Sequence, residues 1–218
     1  MIDFHTHSIF SDGELIPSEL VRRAFVMGYL AIAITDHADT SNLDFIIPRL
    51  VRVCNQITRF SNIIALPGVE LTHNPPELIS ELAREARGLG AKVILVHGET
   101  RVEPVPPGTN RAACGSDVDI LAHPGIIGIE EAKMAAERDI YLELSGRAGH
   151  SFTNGHVARI ATEVGARLVF NTDAHAPHDL MGDDMARDLI LGSGLSQAQT
   201  IEVIKNSERL LKKITGRG

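Results

Sequence analysis

Two short strings, His5-Thr6-His7 and Asp173-Ala174-His175, place metal-competent side chains two residues apart near either end of the chain. In extended backbone, residues i and i+2 point to the same side, so both members of each pair can reach one ion. Between them come Asp36-His37, Glu70, His97, His123 and the run Glu143-Leu144-Ser145-Gly146-Arg147. The chain has 10 histidines against 2 tyrosines and no tryptophan, an excess that asks for a chemical explanation. Taken singly, each residue has an ordinary reading: a lone histidine hydrogen-bonds, Asp36 caps a helix, Glu70 sits in solvent. Taken jointly, imidazoles and carboxylates without thiolates suit bound zinc, iron or manganese.

Each of these residues falls at the end of a short β-branched run. Seven such runs can be read: Ile2–His5, Leu30–Thr35, Ile63–Leu71, Lys92–Val96, Asp119–Ala122, Ile140–Leu144 and Arg167–Asn171. They alternate with amphipathic helical patterns, the signature of parallel β/α units. Pro17-Ser18 opens a helix that Gly28 closes, Pro75-Pro76 opens one closed by Gly88 and Gly90, and Asn154 caps one ending at Gly165. An open doubly wound sheet gathers ligands at one or two strand ends, whereas a closed barrel lets every strand end converge. Polar residues at all seven ends favour the barrel. The stretch 99–117 has no clear period and carries 3 of the 10 prolines, and it reads as a lid or binding loop. Within it, Gly108-Thr109-Asn110 could present backbone amides to an anion.

A length of 218 residues, 44% hydrophobic and 22% charged, describes one globular domain with core enough to need no disulfide or structural metal. With 21 basic and 28 acidic side chains the net charge is −7, so no stable nucleic-acid complex is expected. The longest apolar stretch, Tyr29 to Ile34, is far short of the roughly 20 residues that cross a bilayer, and no membrane association is expected. The N-terminal string MIDFHTHS has neither a basic nor a long apolar region of the secretory kind, which gives the cytoplasm as the expected location. Cys54 and Cys114 read as reduced packing residues. Lys205, Arg209, Lys212, Lys213 and Arg217 read as cations on a solvated face, complementing the end of a last helix.

The strings HTHSIFSDG (5–13), ITDH (34–37), PGVE (67–70), VHGE (96–99), LAHPG (121–125) and NTDAH (171–175) occur in the order found in the polymerase and histidinol phosphatase superfamily, PHP, which the chain resembles almost throughout. The resemblance implies a single domain, 1–218, folded as a distorted (β/α)7 TIM-like barrel of the α/β class. It further implies three divalent metal ions, Zn, Mn or Fe, at the C-terminal ends of the strands, and phosphoester hydrolysis. By motif, His5, His7, Glu70 and Asp173 would hold one ion, with Glu70 bridging to a second held by His97 and His123. Asp12, His37 and His175 would hold the third. Two bridged cations would make a shared water nucleophilic near neutral pH, the third would take phosphate oxygens, and Asp173 would assist proton transfer. Asp36 is expected to orient a ligand imidazole.

Arg147, placed just past the sixth run, is the candidate for clamping a substrate phosphate. His73, His150, His156 and His178 match no motif and are expected on the surface or behind the ligands, with His178 nearest the site. The expected partner is a small phosphorylated substrate resembling L-histidinol phosphate. The alternatives are a phosphodiesterase or exonuclease using the same metals, and a non-catalytic scaffold like the PHP-like protein subunit of ribonuclease P. Complete ligand positions and negative charge speak against the scaffold. The oligomeric state is left open.

Overall fold

The computed structural model describes residues 1–216. Eight parallel strands, β1 (Ile2–Asp3), β2 (Ala31–Ile34), β3 (His37–Ala38), β4 (Ile64–Leu71), β5 (Val93–His97), β6 (Ile120–Ala122), β7 (Tyr141–Ser145) and β8 (Leu168–Asn171), alternate with helices. These are α1 (Pro17–Val26), α2 (Leu43–Phe60), α3 (Ile79–Leu89), α4 (Thr109–Cys114), α5 (Ile129–Glu137), α6 (Asn154–Val164), α7 (Asp183–Gly192) and α8 (Gln197–Thr215). The strands are buried on both faces, as parallel strands sheathed by helices must be. Pro17 starts α1, and left-handed glycines at Gly90 and Gly165 stop α3 and α6. Ser196 and Gln199 form a reciprocal capping box at the start of α8.

Seven strands pair in the order β1-β2-β4-β5-β6-β7-β8, and the short β3 pairs with the end of β4. No regular ladder joins β8 back to β1. One bridge, Thr6 to Ala174, crosses the gap, with the His7 N–H donating to the Ala174 carbonyl at 2.8 Å. Side chains complete the closure: Phe4 N–H donates to Asn171 Oδ1 at 2.8 Å, and Thr172 Oγ1 donates to Asp3 Oδ2 at 2.6 Å. The result is a distorted, nearly closed seven-stranded barrel. Phe4, Leu66, Val93, Leu95, Ile120 and Val169 fill it, and a larger apolar layer separates strands from helices. Leu210, Leu211 and Ile214 of α8 join the inner layer beside Ile2 and Ile64, so α8 stoppers the end where the strands begin. The opposite mouth is left for chemistry.

Some local expectations need correction and others hold. The first strand stops at Asp3, because Asp3 Oδ1 accepts from the His5 N–H at 3.2 Å and the chain turns toward β8 instead of pairing further. The 99–117 connection contains α4. Asn154 does not cap α6; its amide bonds both the N–H and the carbonyl of Ser145, at 3.1 and 2.9 Å, pinning the end of β7. Of the C-terminal cations, Arg209 bonds Glu202 and Asn206, Lys213 bonds Asp139, and Arg217 lies outside the described residues. Both cysteines are free and buried, and burial pushes their thiols up to about 12, which suits packing. No helix among the described residues is long and apolar enough to cross a membrane.

Asn171 is fully buried and serves the closure twice, since its Nδ2 also donates to Glu143 Oε1 at 2.8 Å. Asn171→Ala leaves the Phe4 N–H unpaired in the core and removes a donor from a buried carboxylate. The expected loss is about 2–4 kcal/mol, read as a lower urea midpoint at unchanged slope. An unshifted midpoint would show that the closure does not depend on this side chain.

Candidate metal centre

The barrel mouth gathers donors from six of its seven strand ends. His5 Nε2 lies 3.3 Å from Glu70 Oε2 and 3.6 Å from Asp173 Oδ1; His7 Nε2 lies 3.6 and 3.3 Å from the same two oxygens. Glu70 turns its other oxygen to His123 Nε2 at 3.3 Å, and Glu70, His97 and His123 form one tight group. Asp12 Oδ1 meets His175 Nε2 at 3.2 Å and His37 Nε2 at 3.5 Å, with His7 Nδ1 at 3.8 Å completing a second group. All nine residues assigned by motif thus stand around one cavity, and His7 stands between two of the groups. Asp12 is the exposed member, carried on the loop after β1.

Neighbours fix the orientation of these rings. The His5 Nδ1–H donates to Glu143 Oε1 at 2.9 Å, leaving Nε2 to face the cavity. Glu143 Oε2 in turn accepts the His123 N–H at 3.0 Å, so one buried carboxylate on β7 positions two ligand-bearing segments. The His175 ring is held through Nδ1, which lies 2.9 Å from the Asp173 carbonyl and 2.7 Å from Arg147 Nη1. The backbone is itself held in unusual conformations here. His73, His123 and Asp173 are three of the four non-glycine residues with positive φ. Such strain persists only where the surroundings over-determine it. Gly98 is required because a Cβ there would collide with the Ala122 carbonyl oxygen, so the loops leaving β5 and β6 could not approach.

Two sequence expectations fail at this point. Asp36 orients no imidazole: it accepts from Ser8 N–H and Ser8 Oγ at 2.7 Å and from Ser11 Oγ at 2.8 Å, anchoring the loop that carries Asp12. The Gly108 and Asn110 amides are not open to an external anion, because Glu99 Oε1 already accepts both, at 3.0 and 2.9 Å. His178 points into solvent beside Asp179 and His156 bonds the Ile127 carbonyl away from the site, within the expectation of surface positions. The residues that sequence reading missed are His73, His150 and Glu103. His150 is 5% exposed, with Nδ1 at 3.4 Å from Asp173 Oδ2. Glu103 faces His73, His97 and His150. The signal for Glu103 was its place in the one long irregular loop. Arg147 lines the cavity, with Nη1 at 2.7 Å from His175 Nδ1.

Electrostatics tie the donors into one system. Burial favours neutral His5, but Glu143, Asp173 and Glu70 outweigh it and hold the imidazole well above its usual range. Against the cost of burial, Glu70 raises His37 and His97. Burial and the charge on His37 push His7 down to about 3, and burial lowers His123. Glu70 and Asp173 stay well below the carboxylate range despite burial, Glu70 through His5, His37 and His97, and Asp173 through His5 and His7. Protons on some imidazoles therefore balance the carboxylates in the metal-free protein. Buried atoms still lack partners: His5 Nε2, both nitrogens of His7, both oxygens of Glu70 and Asp173 Oδ2. Orphaned lone pairs of nitrogen and oxygen donors aimed into one cavity are what divalent cations satisfy, so the residues present fit the implied metals.

A family profile described as the PHP domain matches residues 3–104. An uncharacterized protein of Methanocaldococcus jannaschii is 49% identical over 97% of this chain and 99% of its own length. The chain belongs to the PHP family. A DNA polymerase/3'-5' exonuclease of Bacillus subtilis is 27% identical over 79% of the chain, which spans only 34% of that larger protein. Among solved structures, the histidinol phosphate phosphatase of Lactococcus lactis, complexed with zinc, L-histidinol and phosphate, superposes with a TM-score of 0.62 at 18% identity, covering 89% of this chain and 94% of its own. That likeness shows the fold. The PHP barrel explains why donors from residues 5 to 175, well beyond the matched segment, meet at one mouth.

The shifted imidazoles set a pH test. His5, His37 and His97 are raised above 6.5, so the stability that they contribute to metal-free protein is fully present below that pH and lost as pH rises through the raised values. Glu70 and Asp173 remain ionised throughout, and their charge becomes uncompensated. Thermal unfolding of chelator-treated protein should show Tm falling as pH rises above 6.5, while zinc- or manganese-loaded protein stays level. A metal-free Tm that is flat or rising would contradict this balance.

Proposed function

We propose that this chain is a metal-dependent phosphoesterase that hydrolyses a small phosphomonoester. The observation that carries the reading is the convergence of nine imidazole and carboxylate side chains on one cavity, with inward atoms of His5, His7, Glu70 and Asp173 unpartnered. His5, His7, Glu70 and Asp173 would hold one ion, Glu70, His97 and His123 a second, and Asp12, His37 and His175 a third, the metal being zinc, manganese or iron. Divalent cations supply a nucleophile at neutral pH and offset the negative charge of a phosphoryl group in in-line displacement. The protein's own part is positioning. Glu143 holds His5 in the tautomer that turns Nε2 inward, and the contacts of His175 Nδ1 with the Asp173 carbonyl and Arg147 leave its Nε2 facing Asp12. Asp173 can take up a proton only against its depressed affinity, which makes it a weak base that assists transfer without driving it.

The cavity of about 270 Å³ suits a phosphoryl group with a modest leaving group. Arg147 reaches it from the loop after β7, with its side chain one-third exposed and its guanidinium beside His175. That position lets the fork meet a phosphate oxygen that a cation holds from the other side. The Lactococcus neighbour, with phosphate and an amino alcohol bound, supports the monoester class, and the negative net charge of the chain weighs against a polynucleotide substrate. Protein reconstituted with Mn²⁺ or Zn²⁺ should bind about three ions and cleave phosphomonoesters in preference to bis-(p-nitrophenyl) phosphate and short oligonucleotides. Preferred cleavage of the diesters would make it a phosphodiesterase, and no turnover with full metal would make it a scaffold.

Arg147 separates substrate binding from metal binding. Arg147→Ala should leave metal content unchanged and lower kcat/KM on the order of 10²-fold, the loss of one charge-assisted contact of about 2–3 kcal/mol. Lysine should restore only part, because a point charge cannot reproduce the fork. Wild-type kinetics in both variants would remove Arg147 from the site.

A further inference from the structure

The loop leaving β5 brings Glu103 over the mouth, where three imidazoles from three different segments converge on its carboxylate. Oε2 lies 3.1 Å from His97 Nε2 and 3.3 Å from His73 Nε2, and Oε1 lies 3.1 Å from His150 Nε2. These contacts hold Glu103 well below the usual carboxylate range, the bonds to His150 and His97 first. The backbone helps present them. His73 has a left-handed φ of 54°, a strained conformation for a side chain that does nothing but face solvent. Gly149, with φ 89°, seats Val102 against the start of the segment that carries His150. At its far end the loop is fastened by Glu99, which accepts two amides at the start of α4.

His97 links two groups of donors: it clusters with Glu70 and His123, and also with His73 and Glu103, and its Nε2 faces Glu103. Nε2 donates to Glu103 while it carries a proton and offers a lone pair once it does not. A cation that takes this lone pair meets the Glu103 carboxylate beside it. His73 and His150 keep it in place by donating to it. Two donors on one tetrahedral ion of zinc size stand about 3.3 Å apart, close to the separation found. We propose that Glu103 is a further ligand of the ion held by Glu70, His97 and His123, so that metal loading fastens the loop over the mouth. His73 and His150 are positioning residues for that carboxylate. The inference rests on the reading of the cluster as a metal centre and adds to it a loop whose closure depends on the ion.

The test uses the full chain loaded with Zn²⁺, with two readouts independent of turnover: chelator competition for the bound ions, and amide hydrogen exchange over residues 99–108. Wild-type protein should gain protection across this loop on loading. Glu103→Gln should release one of its ions at least about 10-fold more readily than wild type and should show no gain in loop protection. Arg101→Ala, in the same loop but outside the cluster, should behave as wild type in both. Unchanged ion affinity in Glu103→Gln, or a wild-type loop that loses protection on loading, would overturn the proposal. Wild-type protein that binds no ions would overturn it together with the function reading. A Glu103 effect in a protein with no phosphoesterase turnover would support it while overturning the activity alone.

Discussion

Burying charge without water is the constraint around which this molecule is arranged. Glu70, Glu143 and Asp3 are fully buried, Asp173 almost so, and His5, His7, His97, His123 and His150 share their surroundings. Each isolated charge in such a place costs several kcal/mol, and only close partners recover it. Glu143 and Asp3 recover it locally. Glu143 is met by His5, Asn171 and the His123 amide, and Asp3 by Thr172 and the His5 amide. Even so, burial lifts Asp3 to about 6. Glu70 and Asp173 have no hydrogen-bonding donor dedicated to them beyond imidazoles that are themselves potential ligands. A compensating positive charge has to enter from outside the chain, either as protons on those imidazoles or as cations.

That requirement shapes the barrel. An evenly closed ladder between the first and last strands would carry β1 straight on, and its pairing would compete with the turn that lets His5, His7 and Asp173 share one volume. Here the ladder gives way to side-chain bonds from Asp3, Asn171 and Thr172, and the strand ends tilt into the mouth. The left-handed backbone at His123 and Asp173 belongs to the same adjustment. Stability is surrendered at the seam and at these two residues, and packing elsewhere carries it: the filled barrel interior, and α8 sealing the far end.

The sequence made the strand-end donors legible because each is local to its strand. His5 and His7 announce themselves by a two-residue spacing, and Glu70 and His123 by the strings PGVE and LAHPG that carry the resemblance. The barrel followed from the recurrence of donors at every run. Glu103 was hidden because its partners are distant: His73 lies 30 residues before it and His150 47 after it, so no local pattern links them. His178 stays in solvent although it follows His175 by three residues, since proximity in sequence says nothing about direction once the chain turns at Pro177. Asp36 and the Gly108 amides were misassigned because carboxylates and free amides are versatile partners. Only the fold shows that Ser8, Ser11 and Glu99 claim them first.

The site therefore divides into two parts with different physical tasks. Donors just past β1, on β4 and β5, and just past β6 and β8 are buried, strained or doubly bonded, so their geometry is set before any ligand arrives, and on the proposed reading they would set the affinity for cations. Arg147, Asp12 and Glu103 sit on loops and are partly exposed. A rigid inner set can be shared by proteins that act on very different molecules, because on the proposed reading the fixed part would meet only the ion and the phosphoryl oxygens. On the proposed reading, discrimination between leaving groups would fall to side chains that approach the cavity from such loops, Arg147 after β7 first among them. Changes in those loops can redirect the chemistry without disturbing the buried charge balance that holds the barrel mouth together.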